Sequence, residues 1–304
     1  MPCTFSFWLI DGSRLKQGNQ VIAVMKAFIS IDIEGIPYIV SRHHTSLNGE
    51  LYSEARQIMT DCLVVVLDSL FKLGFENAVV ADSHGPMVNI LPERLPDQVA
   101  LVRGYPRAMS MVAGAKGCDA AFFLGYHAKP GTPNANFDHV MSSLTLRSVR
   151  VNGEDCSEFL LNAALLGELE IPVAMVAGDK ALLEDDVKRS APWAARVALK
   201  ESLGRYSSIS LSPTQIAETL RNACKEAVES INNKKTRLLR FESPLNLEIE
   251  FTSTAYAEIA AHLPNSVRSN GTTVSYKASS MSEAYLVIEL LTMAANGVRS
   301  QVEA

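Results

Sequence analysis

Acidic and histidine residues follow three apolar segments of the sequence, at the point where each segment ends. Asp32 and Glu34 end the stretch FISIDIEG, His84 ends VVADSHG, and His127 lies near the end of FLGYHA. Residues two apart in an extended chain face the same side, so the carboxylates of Asp32 and Glu34 project together. Two neighbouring carboxylates repel each other unless a cation lies between them. The three segment ends therefore carry the residue types of a metal site.

Each of these residues has an ordinary structural explanation when it is taken alone. An aspartate at the end of a strand, such as Asp32 or Asp82, is often only a turn former. A histidine after an apolar strand, such as His84 or His127, is more often a hydrogen-bonded structural residue than a ligand. The structural explanation must be invoked separately for each segment, whereas one metal site explains the whole set. Metal binding is therefore the favoured interpretation.

Imidazole and carboxylate ligands without a thiolate are typical of catalytic Zn²⁺ sites, and less often of Mn²⁺ or Co²⁺ sites. A metal of this kind polarises a carbonyl or phosphoryl oxygen and lowers the pKa of bound water toward about 7. Glu158 is a fifth candidate ligand, although a glutamate at a helix start is also favourable to the helix dipole. Five or more ligands would favour two metal ions.

Strand-like and helix-like segments alternate through the first two-thirds of the chain. The strand-like segments lie at 28–37, 77–85, 99–104, 119–128 and 171–179, and the helix-like ones at 52–74, 108–117 and 157–170. This alternation predicts an α/β fold, a mainly parallel sheet with helices on both faces. The carboxyl ends of parallel strands form one edge, where ligands bind. The candidate ligands would meet at that edge.

Two features predict structure outside this parallel pattern. Asn152-Gly153 is a tight-turn signal and indicates a local antiparallel excursion within 143–156. Ser212, Pro213 and Gln215 form a capping box that starts a helix over 213–231. The next predicted elements are a strand at 245–251, a helix at 255–263, a strand at 272–278 and a helix at 281–295.

We predict a catalytic domain of residues 25–210 and a smaller C-terminal α+β unit of residues 211–304. Residues 1–24 are interpreted as an extension, because a second initiator-like segment begins at Met25.

The composition excludes several classes of protein. The 304 residues carry a net charge of −5 without long basic runs, which argues against nucleic acid or an anionic membrane as a partner. Five widely spaced cysteines argue against a disulfide framework or a thiolate zinc site and favour a reducing cytoplasm. The segment FSFWLI at 5–10 is too short for a signal-peptide core, and no apolar window approaches a membrane span of about 18 residues.

Several sequence blocks together resemble the zinc-dependent D-aminopeptidases of the DppA type. The blocks are SIDIEG, YSEARQIMT, VVADSHG, FLGYHA, FDHVMS, VNGEDCSEFLLNA, VAMVAGD and GTTVSYKASSMSEAY. The resemblance runs from about Met25 to about residue 296. It implies a cytoplasmic metallopeptidase that releases N-terminal D-residues from short peptides. It also implies a homo-oligomer, a self-compartmentalising decamer of stacked rings.

The resemblance also implies a role for each candidate ligand. Asp32 would bridge two zinc ions. Glu34 and His84 would complete the first zinc site, and His127 and Glu158 would complete the second. A metal-bridging hydroxide would then attack the peptide carbonyl.

The family's catalytic histidine falls on His139. A nearby imidazole could move a proton or stabilise the oxyanion, although a surface-loop histidine is the structural alternative. His43 and His44 lie in a polar loop and receive no role. Asp179 ends a strand-like segment and is interpreted as a turn residue rather than as a supporting group of the site.

Two other functions remain open at this stage. The same ligands could serve a binuclear metallohydrolase of another amide or of a phosphoester, because fold and ligands do not determine the substrate. The chain could also be a peptide-binding protein that has lost turnover.

Overall fold

The computed structural model describes residues 16–17, 20–21 and 25–302. Lys16–Gln17 pairs antiparallel with Gln20–Val21. The rest of the predicted extension of residues 1–24, including FSFWLI, lies outside the described residues.

The described part of the chain contains two larger sheets and five longer helices. The strands are Met25–Ile31 (β1), Phe75–Asp82 (β2), Val99–Val102 (β3), Ala120–Tyr126 (β4), Leu146–Val151 (β5), Glu154–Asp155 (β6), Val173–Asp179 (β7), Ala195–Gly204 (β8), Ser207–Ile209 (β9), Leu245–Phe251 (β10), Val267–Arg268 (β11) and Thr273–Ala278 (β12). The longer helices are Tyr52–Lys72 (α1), Glu158–Glu168 (α2), Pro213–Asn232 (α3), Thr254–Ala260 (α4) and Met281–Val302 (α5). Shorter helical turns are Arg42–Thr45, Pro92–Arg94, Ser110–Val112 and the consecutive segments Lys180–Leu182, Leu183–Val187 and Lys188–Ser190.

The larger sheet has seven strands in the order β9-β8-β7-β4-β1-β2-β3. All neighbours are parallel except β8 and β9. The chain runs outward from β1 through β2 to β3 and then returns to β4 on the other side of β1. The strand order therefore reverses between β1 and β4, and ligands of open α/β sheets bind in the crevice at such a point.

Helices and the second sheet cover the two faces of the larger sheet, because its central strands are apolar on both sides. Ile29 of β1 and Phe122 of β4 pack under α1 and α3. Phe28 and Phe123, their neighbours along the two strands, pack against α2, α5 and the second sheet. Strands buried on both faces have continuous apolar sequences, as seen here. The predicted α/β fold with helices on both faces is confirmed.

The second sheet is antiparallel, with strand order β11-β12-β10-β5-β6. The predicted Asn152-Gly153 turn joins β5 to β6. These two strands precede the predicted boundary near residue 210, and they complete the sheet beside β10. Helix α3 follows that boundary, yet Ile216 and Leu220 are buried with the larger sheet. The elements of each layer therefore come from both sides of the boundary, and the division into two units at residue 210 stays a prediction.

Two local predictions differ from the structure. The predicted helix at 108–117 is only the turn Ser110–Val112, because Met109 has a left-handed φ of 64° and Gly114 a φ of 87°. The long strand β8 was not predicted, since Arg196 and Glu201 interrupt its apolar residues. The capping box of Ser212 and Gln215 at the start of α3 is confirmed.

Two further findings concern helix hydropathy and the cysteines. Among the described residues, no helix is long and apolar enough to cross a membrane. Cys62, Cys118, Cys156 and Cys224 are buried free thiols, and Cys3 lies outside the described residues.

Candidate metal centre

The turn after β1 brings Asp32 and Glu34 against β4. The amide of Gly35 donates to the carbonyl of Gly125 at 2.7 Å. A Cβ on Gly35 would lie 2.1 Å from the carbonyl oxygen of Tyr126, so only glycine allows this approach. The two carboxylates therefore lie at the crevice between β1 and β4.

His84 follows β2 and contacts both carboxylates. Its Nδ1 lies 3.1 Å from Asp32 Oδ1 and 3.5 Å from Glu34 Oε2. Its Nε2 lies 3.0 Å from the carbonyl oxygen of Thr45, to which it donates. A metal-binding histidine commonly donates a hydrogen bond from its second ring nitrogen in this way, which fixes the orientation of the ring and its tautomer. Nδ1 is thus the nitrogen available to a metal.

His127 follows β4 and lies among three carboxylates. Its Nε2 is 3.5 Å from Asp32 Oδ2, 3.4 Å from Glu34 Oε2 and 3.4 Å from Glu158 Oε2. Its Nδ1 donates to the carbonyl of Ala128 at 3.1 Å. Nε2 is therefore the nitrogen directed at the carboxylates.

Glu158 is the first residue of α2. Ser157 caps this helix by accepting a hydrogen bond from the amide of Leu160 at 3.2 Å. The carboxylate of Glu158 accepts a hydrogen bond from the amide of Met141 at 2.7 Å. One of its oxygens is held by the loop before β5, while the other faces His127.

His139 lies on the same loop and contacts the other side of the cluster. Its Nε2 is 3.6 Å from Glu34 Oε2 and 3.9 Å from Glu158 Oε1. Its Nδ1 donates to the carbonyl of Phe137 at 2.6 Å. The structure thus brings all six predicted site residues together.

The donor atoms fit a metal better than they fit one another. Asp32 Oδ2 and His127 Nε2 are buried without a hydrogen-bond partner in the described part of the protein. Buried polar atoms normally have a partner, so these two atoms indicate a missing ligand. In each of three overlapping groups, the donor atoms lie within 4.8 Å of one another: Asp32, Glu34 and His84; Asp32, His127 and Glu158; and Glu34, His127 and His139. Carboxylate and imidazole donors in such groups suit a catalytic zinc site.

Comparison with known proteins shows the family of this chain. The family model of the D-aminopeptidases matches residues 25–290. The chain belongs to the D-aminopeptidase family. It is therefore an enzyme, a metallopeptidase, and the resemblance seen in the sequence blocks is confirmed.

Two relatives show how far the similarity extends. A D-aminopeptidase of Bacillus subtilis (strain 168) is 31% identical over 273 residues, which are 88% of this chain and 97% of that protein. The structure of the zinc-dependent D-aminopeptidase DppA from Bacillus subtilis, a self-compartmentalizing protease, superposes with a TM-score of 0.85. That superposition covers 90% of this chain and 98% of that chain at 31% identity.

Without a metal, protonated histidines balance the buried carboxylates of this D-aminopeptidase family member. Burial alone would lower the pKa of His127, but the carboxylates of Glu158 and Glu34 raise it to about 10. Burial alone would raise the pKa of Glu34, but the nearby rings of His139 and His84 hold it well below its ordinary value. The site therefore requires positive charge, which protons supply in the absence of a cation.

A cavity of about 400 Å³ opens in front of the cluster. Its walls come from both layers of the fold, including the three α5 residues Glu289, Thr292 and Asn296. Met111, Met141 and Tyr105 add apolar surface. A concave cavity that combines apolar surface with convergent polar groups is suited to a small ligand.

Two aspartates at strand ends support neighbouring loops and lie outside the three donor groups. Asp179, interpreted as a turn residue, accepts hydrogen bonds from the amide of Ala181 at 3.2 Å and from the hydroxyl of Ser202 at 2.6 Å. It also accepts from the amide of Asn136 at 3.1 Å, on the loop that carries His139. Asp82 accepts three hydrogen bonds from Asn89 and Ile90 and acts as a turn former. Asp179 thus supports the site as well as a turn.

Proposed function

We propose that this chain is a binuclear zinc aminopeptidase that releases N-terminal D-residues from short peptides. The observation that supports this proposal most directly is that the two carboxylate oxygens of Asp32 face two different donor groups. Its Oδ1 lies 3.1 Å from His84 and its Oδ2 lies 3.5 Å from His127. A carboxylate that offers one oxygen to each of two donor groups is arranged as a bridge. We therefore assign Glu34 and His84 to the first metal, and His127 and Glu158 to the second.

Zinc is the proposed metal because the donors are imidazoles and carboxylates and because a structural relative is described as zinc-dependent. When bound, zinc would polarise the substrate carbonyl and lower the pKa of coordinated water. Mn²⁺ or Co²⁺ would suit the same donors less commonly.

His139 is proposed as the group that moves a proton during hydrolysis. Its Nδ1 donates to the carbonyl of Phe137, so its Nε2 can accept a proton at the cavity side of the cluster. A positioned imidazole of this kind contributes about a hundredfold to ten-thousandfold to the rate. Its side chain is 13% exposed, compared with 1% for His127, which leaves His139 accessible to substrate and solvent.

A homo-oligomer is the proposed assembly, with a second copy of this chain as the partner. The structural relative is described as self-compartmentalizing, and the family resemblance implies a decamer. Leu286, Leu290 and Met293 form an apolar stripe on α5 with exposures of 52%, 52% and 41%. Residues at this spacing lie on one helix face, and an exposed apolar patch is typical of an interface. Enclosure of the sites would restrict access to short, unfolded peptides.

The proposal is tested by measuring kcat/KM for the four stereoisomers of Ala-Ala and for an N-acetylated control. We expect rapid cleavage only where the N-terminal residue is D and its amine is free. Preference for an N-terminal L-residue would contradict the D-specificity, and rapid cleavage of the acetylated peptide would contradict aminopeptidase action. Faster hydrolysis of p-nitrophenyl phosphate would favour the phosphoesterase alternative. Metal binding without turnover of any peptide would favour a peptide-binding protein.

A further inference from the structure

Lys200 places a buried positive charge behind the proposed metal centre. The residue lies on β8 and is only 2% exposed. Its Nζ donates to the carbonyl oxygens of Glu34 and Ile39, each at 2.6 Å. A buried ammonium group is costly unless it is well hydrogen-bonded, and burial lowers the pKa of Lys200 to about 8. These two bonds join the ends of the loop that begins with the ligand Glu34.

The same ammonium group also contacts the loop that carries His139. Nζ lies 5.3 Å from the centroid of the Phe137 ring, within the range of a cation–π interaction. The carbonyl of Phe137 accepts the hydrogen bond from His139 Nδ1 at 2.6 Å. One side chain therefore contacts both the backbone of a proposed ligand and the residue that orients the proposed proton-transfer group.

Ser202, two residues further along β8, reaches only the second of these loops. Its hydroxyl donates to Asp179 Oδ2 at 2.6 Å, and the same oxygen accepts from the amide of Asn136 at 3.1 Å. The side-chain Nδ2 of Asn136 donates to the carbonyl of Gly204 at 2.6 Å. Ser202 thus supports the His139 loop without contacting the Glu34 loop, which makes it a matched control for Lys200.

We propose that Lys200 is a positioning residue that holds Glu34 and His139 in the geometry required for metal binding and proton transfer. The proposal rests on the proposed metal centre. A side chain that only stabilised the fold would affect the melting temperature alone. A positioning residue affects zinc affinity and turnover in the folded protein, and supporting groups of metal ligands typically contribute roughly 10- to 100-fold to either quantity.

The test compares Lys200→Met, Lys200→Arg and Ser202→Ala with the natural protein. Zinc affinity is measured on metal-free protein by competition with a chromophoric chelator, and kcat is then measured at saturating zinc. We expect Lys200→Met to weaken zinc binding and lower kcat, each roughly 10-fold or more. Lys200→Arg keeps the charge and the donors and should recover part of both losses. Ser202→Ala should lower kcat and leave zinc affinity unchanged.

The outcomes separate this proposal from a general effect on stability. Natural zinc affinity and natural kcat in folded Lys200→Met would overturn it, and so would a lower melting temperature as the only change. If Lys200→Met does not fold, Lys200→Gln replaces it, since its amide group can donate hydrogen bonds without carrying a charge. Loss of zinc affinity in folded Lys200→Gln supports positioning, and natural affinity overturns it. The zinc measurement needs no substrate, so it stands even if the peptidase assay contradicts the proposed substrate.

Discussion

The imidazole rings of His127 and His139 are stacked, with centroids 4.5 Å apart and planes 8° from parallel. Both rings donate Nδ1–H to a backbone carbonyl, of Ala128 and Phe137 respectively, and direct Nε2 at the carboxylates. Their surroundings differ, because His127 is buried among three carboxylates while His139 faces the cavity. Two histidines with the same orientation are thus suited to different roles.

Substitution of each histidine should separate metal binding from proton transfer. His127→Ala should lower bound zinc and activity together, because it removes a ligand. His139→Ala should keep bound zinc near the natural level and lower kcat about a hundredfold to ten-thousandfold. Metal content and kcat are measured on the same preparations. Loss of zinc in His139→Ala would place this residue among the ligands, and natural turnover would make it a structural histidine.

Zinc binding should release protons from the site. The pKa of His127 is raised to about 10 and that of His84 lies well above its ordinary value, so both rings carry an extra proton at pH 7 in the metal-free protein. A metal requires neutral imidazole, so binding displaces these protons and zinc affinity should fall as the pH falls. Calorimetric titration in buffers of different ionisation enthalpy measures the release. A binding enthalpy that is independent of the buffer would contradict this prediction.

The sequence predicted which residues meet at the candidate site better than it predicted the residues that support them. Four of the residues could be found because parallel strands end at one edge of the sheet, and polar residues follow the short apolar segments there. They are Asp32, Glu34, His84 and His127. The roles of Glu158 and His139 needed the family resemblance, since neither directly follows a strand of the parallel sheet. Lys200 and its strand were missed, because a lysine within a partly polar segment resembles a solvent-exposed residue. Its burial depends on the Glu34 and Phe137 loops, which are distant in sequence.

Gly35 should tolerate no side chain. A Cβ there would lie 2.1 Å from the carbonyl of Tyr126 and 2.5 Å from that of Gly125. Gly35→Ala should therefore destabilise the metal-free protein by about 1–3 kcal/mol and weaken zinc binding through the adjacent Glu34. Gly297→Ala is the control, because its Cβ would meet no atom within 4 Å and alanine favours a helix by about 0.5–1 kcal/mol. Urea denaturation provides the comparison, and equal stability of the two variants would contradict the prediction.

Glu289 should make substrate binding depend on pH. Burial raises its pKa to about 7, against the smaller opposing effects of Ser110 and Arg107. The carboxyl group lines the cavity, so the cavity gains a negative charge as the pH rises through about 7. KM for a D-lysyl peptide should then fall relative to KM for the uncharged D-norleucyl peptide. In Glu289→Gln, the ratio of the two KM values should no longer change across this pH range. A ratio that still changes with pH in this variant, as it does in the natural protein, would contradict the role of Glu289.

Two zinc ions are the proposed catalytic centre, and Asp32 would be the ligand that they share. The most direct measurement is a titration of the metal-free protein with Zn²⁺, in which bound metal and the hydrolysis of D-Ala-D-Ala are followed in the same samples. We expect no hydrolysis without metal and a rise to full activity that ends at two zinc ions per chain. In Asp32→Asn, both the binding of the second ion and the activity should be lost. Full activity at one ion per chain, or unchanged hydrolysis after exhaustive chelation, would contradict a catalytic centre of two zinc ions.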